Sequence, residues 1–158
     1  MRINFKPIEN SDFPFLKKVY RSTREKEIET TGWSEQEKEK FIEFQFNAQH
    51  SHYVNSFKGA DFLIITLKGT DIGRLYLWKT ESQIRIIDIS LLDKYRGRKI
   101  GTKILTEMIE ESNKTGKKLN LHVDQNNPAL KLYERLGFRI TDDKGVYYFM
   151  ERMPEDKI

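Results

Sequence analysis

The chain has 158 residues, 33% of them charged, with a formal net charge of +4 and no cysteine. That length suits one domain with a proper core, and the lack of cysteine excludes disulfides, a thiolate nucleophile and a zinc–thiolate site. No apolar run nears membrane-spanning length, the opening MRINFKPIEN lacks a signal-peptide core, and the only histidines are His50, His52 and His122, so we expect a cytoplasmic protein without a membrane partner or a metal.

Residues 2–8 alternate loosely and predict a first strand. A cap region at Glu9–Asp12 opens a helix at about residues 11–31, where Phe13, Leu16, Val19 and Tyr20 recur at helical spacing. Ser34 and Glu37 form a capping box that starts a second helix. On it, Phe41, Gln45, Ala48 and His52 make one stripe, and Ile42, Phe46, Gln49 and Tyr53 the adjoining one. This polar interruption of an apolar face suits either a partly solvated helix or a pocket wall that orients a substrate. Residues 60–67 and 72–78 read as a hairpin around Lys68–Asp71, and residues 84–92 as a third strand of an antiparallel meander.

After a basic turn at residues 93–99, Ile100, Ile104, Leu105, Met108, Ile109 and Ser112 predict a helix with Gly116 as its C-cap. Residues 118–123 alternate and should lie parallel to the fourth strand across that helix. Asn126, Asn127 and Pro128 introduce a helix at 129–136, and strands at 138–140 and 146–150 follow. The series predicts one α+β (α/β) domain over residues 1–158. Its core would be a mixed, mostly antiparallel sheet of about seven strands with about four helices.

The strand–turn–helix at residues 84–112 organises the rest. Free amides at the helix start, with Arg96, Arg98 and Lys99 beside them, make an anion site suited to a phosphate. The spacing is not that of a Walker A loop, and the dinucleotide fingerprint is absent. Arg96-Gly97-Arg98-Lys99-Ile100-Gly101 resembles instead the acyl-coenzyme A signature of the GNAT superfamily of N-acetyltransferases: Arg or Gln, two residues, Gly, one residue, Gly or Ala. Lys99 stands where that family usually has glycine. The stretch from Asn126 through Ala129, Leu132 and Tyr133 to Gly137-Phe138 resembles the family's second hallmark. The order of elements matches that fold over most of the chain.

The resemblance implies acetyl-coenzyme A as cosubstrate. Pantetheine would pair with the backbone at Leu91 and Leu92, and pyrophosphate would sit on the amides of Arg98, Lys99, Ile100, Gly101 and Thr102. Either Asn126 or Asn127 would contact the cofactor, and the Tyr133 hydroxyl would face the sulfur as general acid. Lys99 is expected to keep helical geometry, since a left-handed lysine is strained. Asp88 is the candidate general base, although three residues before Leu91 it faces the other side of an ideal strand unless a bulge intervenes. Trp33, Gln49, His52 and Tyr53 are candidates for the acceptor wall.

The expected reaction is direct acetyl transfer, in a ternary complex, to a primary amine of a small molecule or peptide. The expected assembly is a monomer or homodimer. The alternatives are a non-catalytic coenzyme A-binding module and a nucleic-acid binder. Basic residues are mixed with acidic ones throughout, which disfavours nucleic acid.

Overall fold

The structure is a computed structural model that describes residues 2–155. In chain order the elements are β1 (Ile3–Pro7), α1 (Phe13–Glu29), α2 (Glu35–Ser56), β2 (Asp61–Leu67), β3 (Thr70–Lys79), β4 (Gln83–Leu91), α3 (Ile100–Thr115), β5 (Lys118–Asp124), α4 (Leu130–Arg135), β6 (Arg139–Asp143) and β7 (Tyr147–Arg152). Short 3-10 turns at Asn10–Asp12 and Asp93–Tyr95 precede α1 and α3. The strands form one mixed sheet in the order β1-β2-β3-β4-β5-β7-β6. β4 and β5 pair in parallel from Gln83↔Lys118 to Ile86↔Leu121, whereas β1–β2, β5–β7 and β6–β7 are antiparallel. The parallel pair is the one joined through a helix, as a crossover connection requires.

The chain divides into two compact units, and β3 and β4 contribute to both. The first holds the chain up to Tyr76 and returns at Asp88–Arg96. Its core gathers Leu16, Tyr20 and Ile28 of α1, Ile42 and Phe46 of α2, and Ile64 of β2. Both helices start as their sequences require. Glu9 and Asp12 satisfy each other's backbone ahead of α1, and Ser34 and Glu37 do so at α2. On α2 the buried face is carried by Ile42 and Phe46, with Gln45, Gln49 and Tyr53 beside them, while Ala48 and His52 are exposed. Of the two expected stripes, therefore, only that of Ile42, Phe46, Gln49 and Tyr53 lies wholly on the inner side.

The second unit holds Leu77–Ile87 and the chain from Gly97 onward. Ile100, Ile104, Leu105 and Met108 of α3 are buried together with Ile84 and Ile86 of β4, Leu119, Leu121 and Val123 of β5, and Met150 of β7. The 3.6-residue spacing on the helix and the two-residue spacing on the strands each deliver one apolar face. Gly116 ends α3 in the left-handed region, as expected of a C-cap.

Candidate active site

The turn between β4 and α3 is built around two residues with left-handed backbone, Gly97 at φ 73° and Lys99 at φ 63°. Lys99 is the N-cap of α3 and does not keep helical geometry. The expectation that a lysine avoids that region fails because the chain must reverse sharply between a strand and a helix start. A non-glycine residue there costs roughly 1–2 kcal/mol. The first intrahelical bond of α3 runs from the Lys103 amide to the Lys99 carbonyl at 3.0 Å, so the amides of Ile100, Gly101 and Thr102 lie ahead of the ladder. A Cβ added at Gly97 or Gly101 would meet nothing within 4 Å, and the Arg98 and Lys99 side chains are exposed. This open, cationic helix start fits a diphosphate.

Lys99→Gly should therefore raise thermal stability by roughly 1 kcal/mol, about 2–4 °C, because glycine enters this region without strain. Loss of the ammonium should weaken coenzyme A binding by up to about five-fold, the scale of an exposed ion pair. A melting curve and a binding isotherm on the same variant check both signs.

The Arg96 guanidinium is committed to the turn. Its Nε donates to the Leu91 carbonyl at 2.9 Å, one terminal nitrogen pairs with Asp93, and the other reaches the Ser22 hydroxyl at 3.5 Å. Arg98 and Lys99, both exposed, add positive charge beside the helix start. The Leu92 amide donates to the Ile72 carbonyl at 2.9 Å. In an extended chain neighbouring peptide groups point to opposite edges, so the amide and carbonyl of Leu91 point away from β3.

Two backbone pairings fix the register of β3 and β4. Thr80 bonds Gln83 at the turn, and Ile72 bonds Leu92 at the far end. Seven residues (73–79) lie between those pairs on β3 and eight (84–91) on β4. The extra residue is a β-bulge in β4. Asp88, Ser90 and Arg74 then share one face. Arg74 Nε donates to an Asp88 carboxylate oxygen at 2.5 Å, and another guanidinium nitrogen donates to Gln49 Oε1 at 2.8 Å. The Ser90 hydroxyl lies 3.2 and 3.3 Å from the two Asp88 oxygens. Arg74 is only 2% exposed. Its carbon Cζ stands 4.8 Å from the Tyr76 ring centroid and 5.8 Å from that of Tyr20. Burial is the largest influence and opposes the guanidinium charge, but the Asp88 carboxylate together with the Tyr76 and Tyr53 hydroxyls holds the Arg74 pKa above its ordinary value.

Among the expected acceptor residues, Gln49 is bound into this network and the Tyr53 ring packs edge-on to Tyr76 at 6.0 Å. Burial, and then the Asp88 charge, push the Tyr53 phenol upward, so it keeps its proton. Trp33 packs against Phe41 at 5.0 Å and remains partly exposed. His52 does not join them: it is exposed and contacts Ser56 one turn on, at 3.3 Å. The sequence reading missed Arg74. The signal was present, since Arg74 and Asp88 are opposite charges embedded in two consecutive apolar strands.

In the second unit, Tyr133 of α4 is buried, with its ring 5.7 Å from Phe138. The Asn127 side-chain oxygen accepts from the Ala129 amide at 2.9 Å, which sets the entry to α4. Asn126 is exposed. Among the described residues no cluster of histidine and carboxylate side chains could hold a metal ion, and no helix is long and apolar enough to cross a membrane.

The strand order, the helix start at the end of β4 and the parallel β4–β5 pair agree with the fold expected of an acyltransferase. Residues 58–140, just over half of the chain, match the acetyltransferase (GNAT) domain, and the chain belongs to that family. Over 61 residues the sequence is 39% identical to a mycothiol acetyltransferase of Corynebacterium aurimucosum. That match spans 37% of this chain and 20% of the relative. The fold is similar to that of the PaiA N-acetyltransferase of Thermoplasma acidophilum in complex with coenzyme A, with a TM-score of 0.70, 23% identity and coverage of 97% of this chain and 99% of that one. It is also similar to the ribosomal-protein-S18-alanine N-acetyltransferase of Escherichia coli, with a TM-score of 0.65, 18% identity and coverage of 99% and 97%. A GNAT family acetyltransferase of Elizabethkingia anophelis with acetyl-coenzyme A bound gives 0.61, 16%, 96% and 97%.

Proposed function

We propose that residues 1–158 form one catalytic domain that transfers an acetyl group from acetyl-coenzyme A to a primary amine of a small molecule or peptide. The observation that carries this reading is the open helix start of α3, with its unladdered amides at Ile100–Thr102, in a chain of the GNAT family. Those amides, with Arg98 and Lys99, are suited to the pyrophosphate. Asn126 is the better placed of the two asparagines for the cofactor chain, because the Asn127 oxygen already caps the approach to α4.

The amine attacks the thioester carbonyl directly. Its nitrogen forms the new bond to carbon, the carbon–sulfur bond breaks, and coenzyme A leaves as a thiol once Tyr133 supplies a proton. Leu91, whose amide points away from β3, supplies the donor for the developing oxyanion. With no cysteine in the chain, no cysteinyl acetyl-enzyme intervenes. The amine proton passes to water, since the only carboxylate on the facing part of β4, Asp88, is bound to Arg74. Trp33, Gln49 and Tyr53 line the acceptor side.

The test is a thermal-shift titration joined to an amine screen. Coenzyme A should raise the melting temperature progressively with concentration, by an amount corresponding to about 2.7 kcal/mol at one hundred times its dissociation constant. Adenine nucleotides that lack pantetheine should raise it less. Thiol release from acetyl-coenzyme A on addition of an amine completes the demonstration. A shift without thiol release from any amine would favour the non-catalytic coenzyme A-binding module instead.

A further inference from the structure

We infer that Arg74 is a positioning residue for acetyl transfer: the ion pair of its buried guanidinium with the half-buried Asp88 carboxylate fixes the β4 segment that presents the Leu91 amide, and that carboxylate serves as counter-ion rather than as proton acceptor. This inference rests on the acetyl-transfer reading above and adds a residue and a role to it.

Three contacts from consecutive residues of β3 hold this stretch of β4. The Ile72 carbonyl takes the Leu92 amide at 2.9 Å. At Gly73 a Cβ would collide with the Ser90 carbonyl oxygen and lie 3.1 Å from Leu91 Cα, so the two backbones meet directly. Arg74 then takes the Asp88 carboxylate. The bonds flank Leu91 on both sides, and the bulge has turned Asp88 and Ser90 toward the helices. The groups that face the pair are Tyr20 of α1, Gln49, His50 and Tyr53 of α2, Tyr76 of β3 and Ser90 of β4, and burial followed by the Arg74 charge holds the His50 imidazole below its ordinary pKa. None of these carries a formal charge at neutral pH, so Asp88 is the one anion among them that balances Arg74.

A general base takes up a proton in every turnover. Were Asp88 to do so, a guanidinium that is 2% exposed would lose its counter-charge in the interior, which is among the costlier events in a protein. The pairing with Arg74 therefore makes Asp88 unsuited to that task. It suits the holding of a fixed strand, for which a forked guanidinium bonded at once to β4 and to α2 is apt.

A double-mutant cycle tests this. Arg74→Gln and Asp88→Asn should each lower the melting temperature, on the order of 10 °C for Asp88→Asn, which strands a buried cation. Each should also lower kcat by at least roughly ten-fold. The double variant, with both charges removed, should recover most of the melting temperature and at least part of kcat relative to Asp88→Asn. Its pH–rate profile should keep the acidic limb of the wild type, since with water as proton acceptor that limb reports deprotonation of the amine and not of Asp88. Additive losses of melting temperature would overturn the pairing. So would loss of the acidic limb in both variants that lack the Asp88 carboxylate, which would make Asp88 the base. If the wild type acetylates no amine at all, it is the acetyl-transfer reading that falls, and the positioning role falls with it. The counter-ion assignment is then judged by the melting-temperature cycle, where additivity overturns it and recovery supports it.

Discussion

Tyr133→Phe should reduce turnover by roughly 10²–10⁴-fold with little change in coenzyme A affinity. The thiolate that leaves acetyl-coenzyme A must gain a proton, and a phenol with an ordinary pKa of about 10 carries one at neutral pH. Tyr133 sits in a short helix between the Asn127–Ala129 turn and Phe138, with its ring buried against Phe138. Phenylalanine keeps that packing and removes only the hydroxyl. Stability should then change by no more than one hydrogen bond is worth, roughly 1 kcal/mol. The measurement is kcat under conditions where chemistry limits the rate, beside a coenzyme A binding isotherm. Equal turnover in the variant and the wild type would reduce Tyr133 to a packing residue. Loss of turnover together with loss of coenzyme A binding would instead place the hydroxyl in ground-state recognition.

Gly73→Ala should be the most damaging single-methyl addition in β3. The added Cβ would point into the Ser90 carbonyl oxygen, with the Leu91 side chain and Cα at 3.0 and 3.1 Å. The nearest obstruction is backbone, which cannot swing aside as a long side chain would. Forced overpacking of this kind costs roughly 1–3 kcal/mol, which for a chain of this size is about 2–12 °C of melting temperature. The second consequence concerns activity: a displaced Ser90–Leu91 backbone moves the oxyanion donor, and misplacement by about 1 Å can cost 10²-fold in rate. Thermal melts and steady-state kinetics on one preparation should show both losses. A variant that melts within about 1 °C of the wild type would show that β4 has room to retreat.

The periodic parts of this protein were legible in its sequence. The apolar spacing of α3, the capping box at Ser34 and Glu37, the C-cap at Gly116 and the alternation of β5 each depend on neighbours within a few residues. Local sterics and local hydrogen bonds decide such features, so a linear reading reaches them. The two motifs were legible for a related reason: each is a short run whose backbone shape and cap residues lie side by side in the chain, in the basic turn ahead of α3 and in the asparagines ahead of α4.

What the sequence left open was set by partners far away in the chain. Lys99 adopts a left-handed conformation because the strand and the helix it joins dictate the turn, and that demand outweighs the residue's own preference. His52 and Gln49 are one turn apart on α2 and equally polar, yet one is exposed and the other bonds Arg74, because a guanidinium 25 residues further on lies beneath only one of them. The composition of β4 contains Asp88 but cannot say what it faces: one extra residue in the strand inverts the side, and that residue is visible only in the pairing with β3. Sequence by itself therefore determined the elements, their order and the family. The tertiary structure alone decided which charges meet, since burying Arg74 requires a counter-charge that has to be brought from another strand.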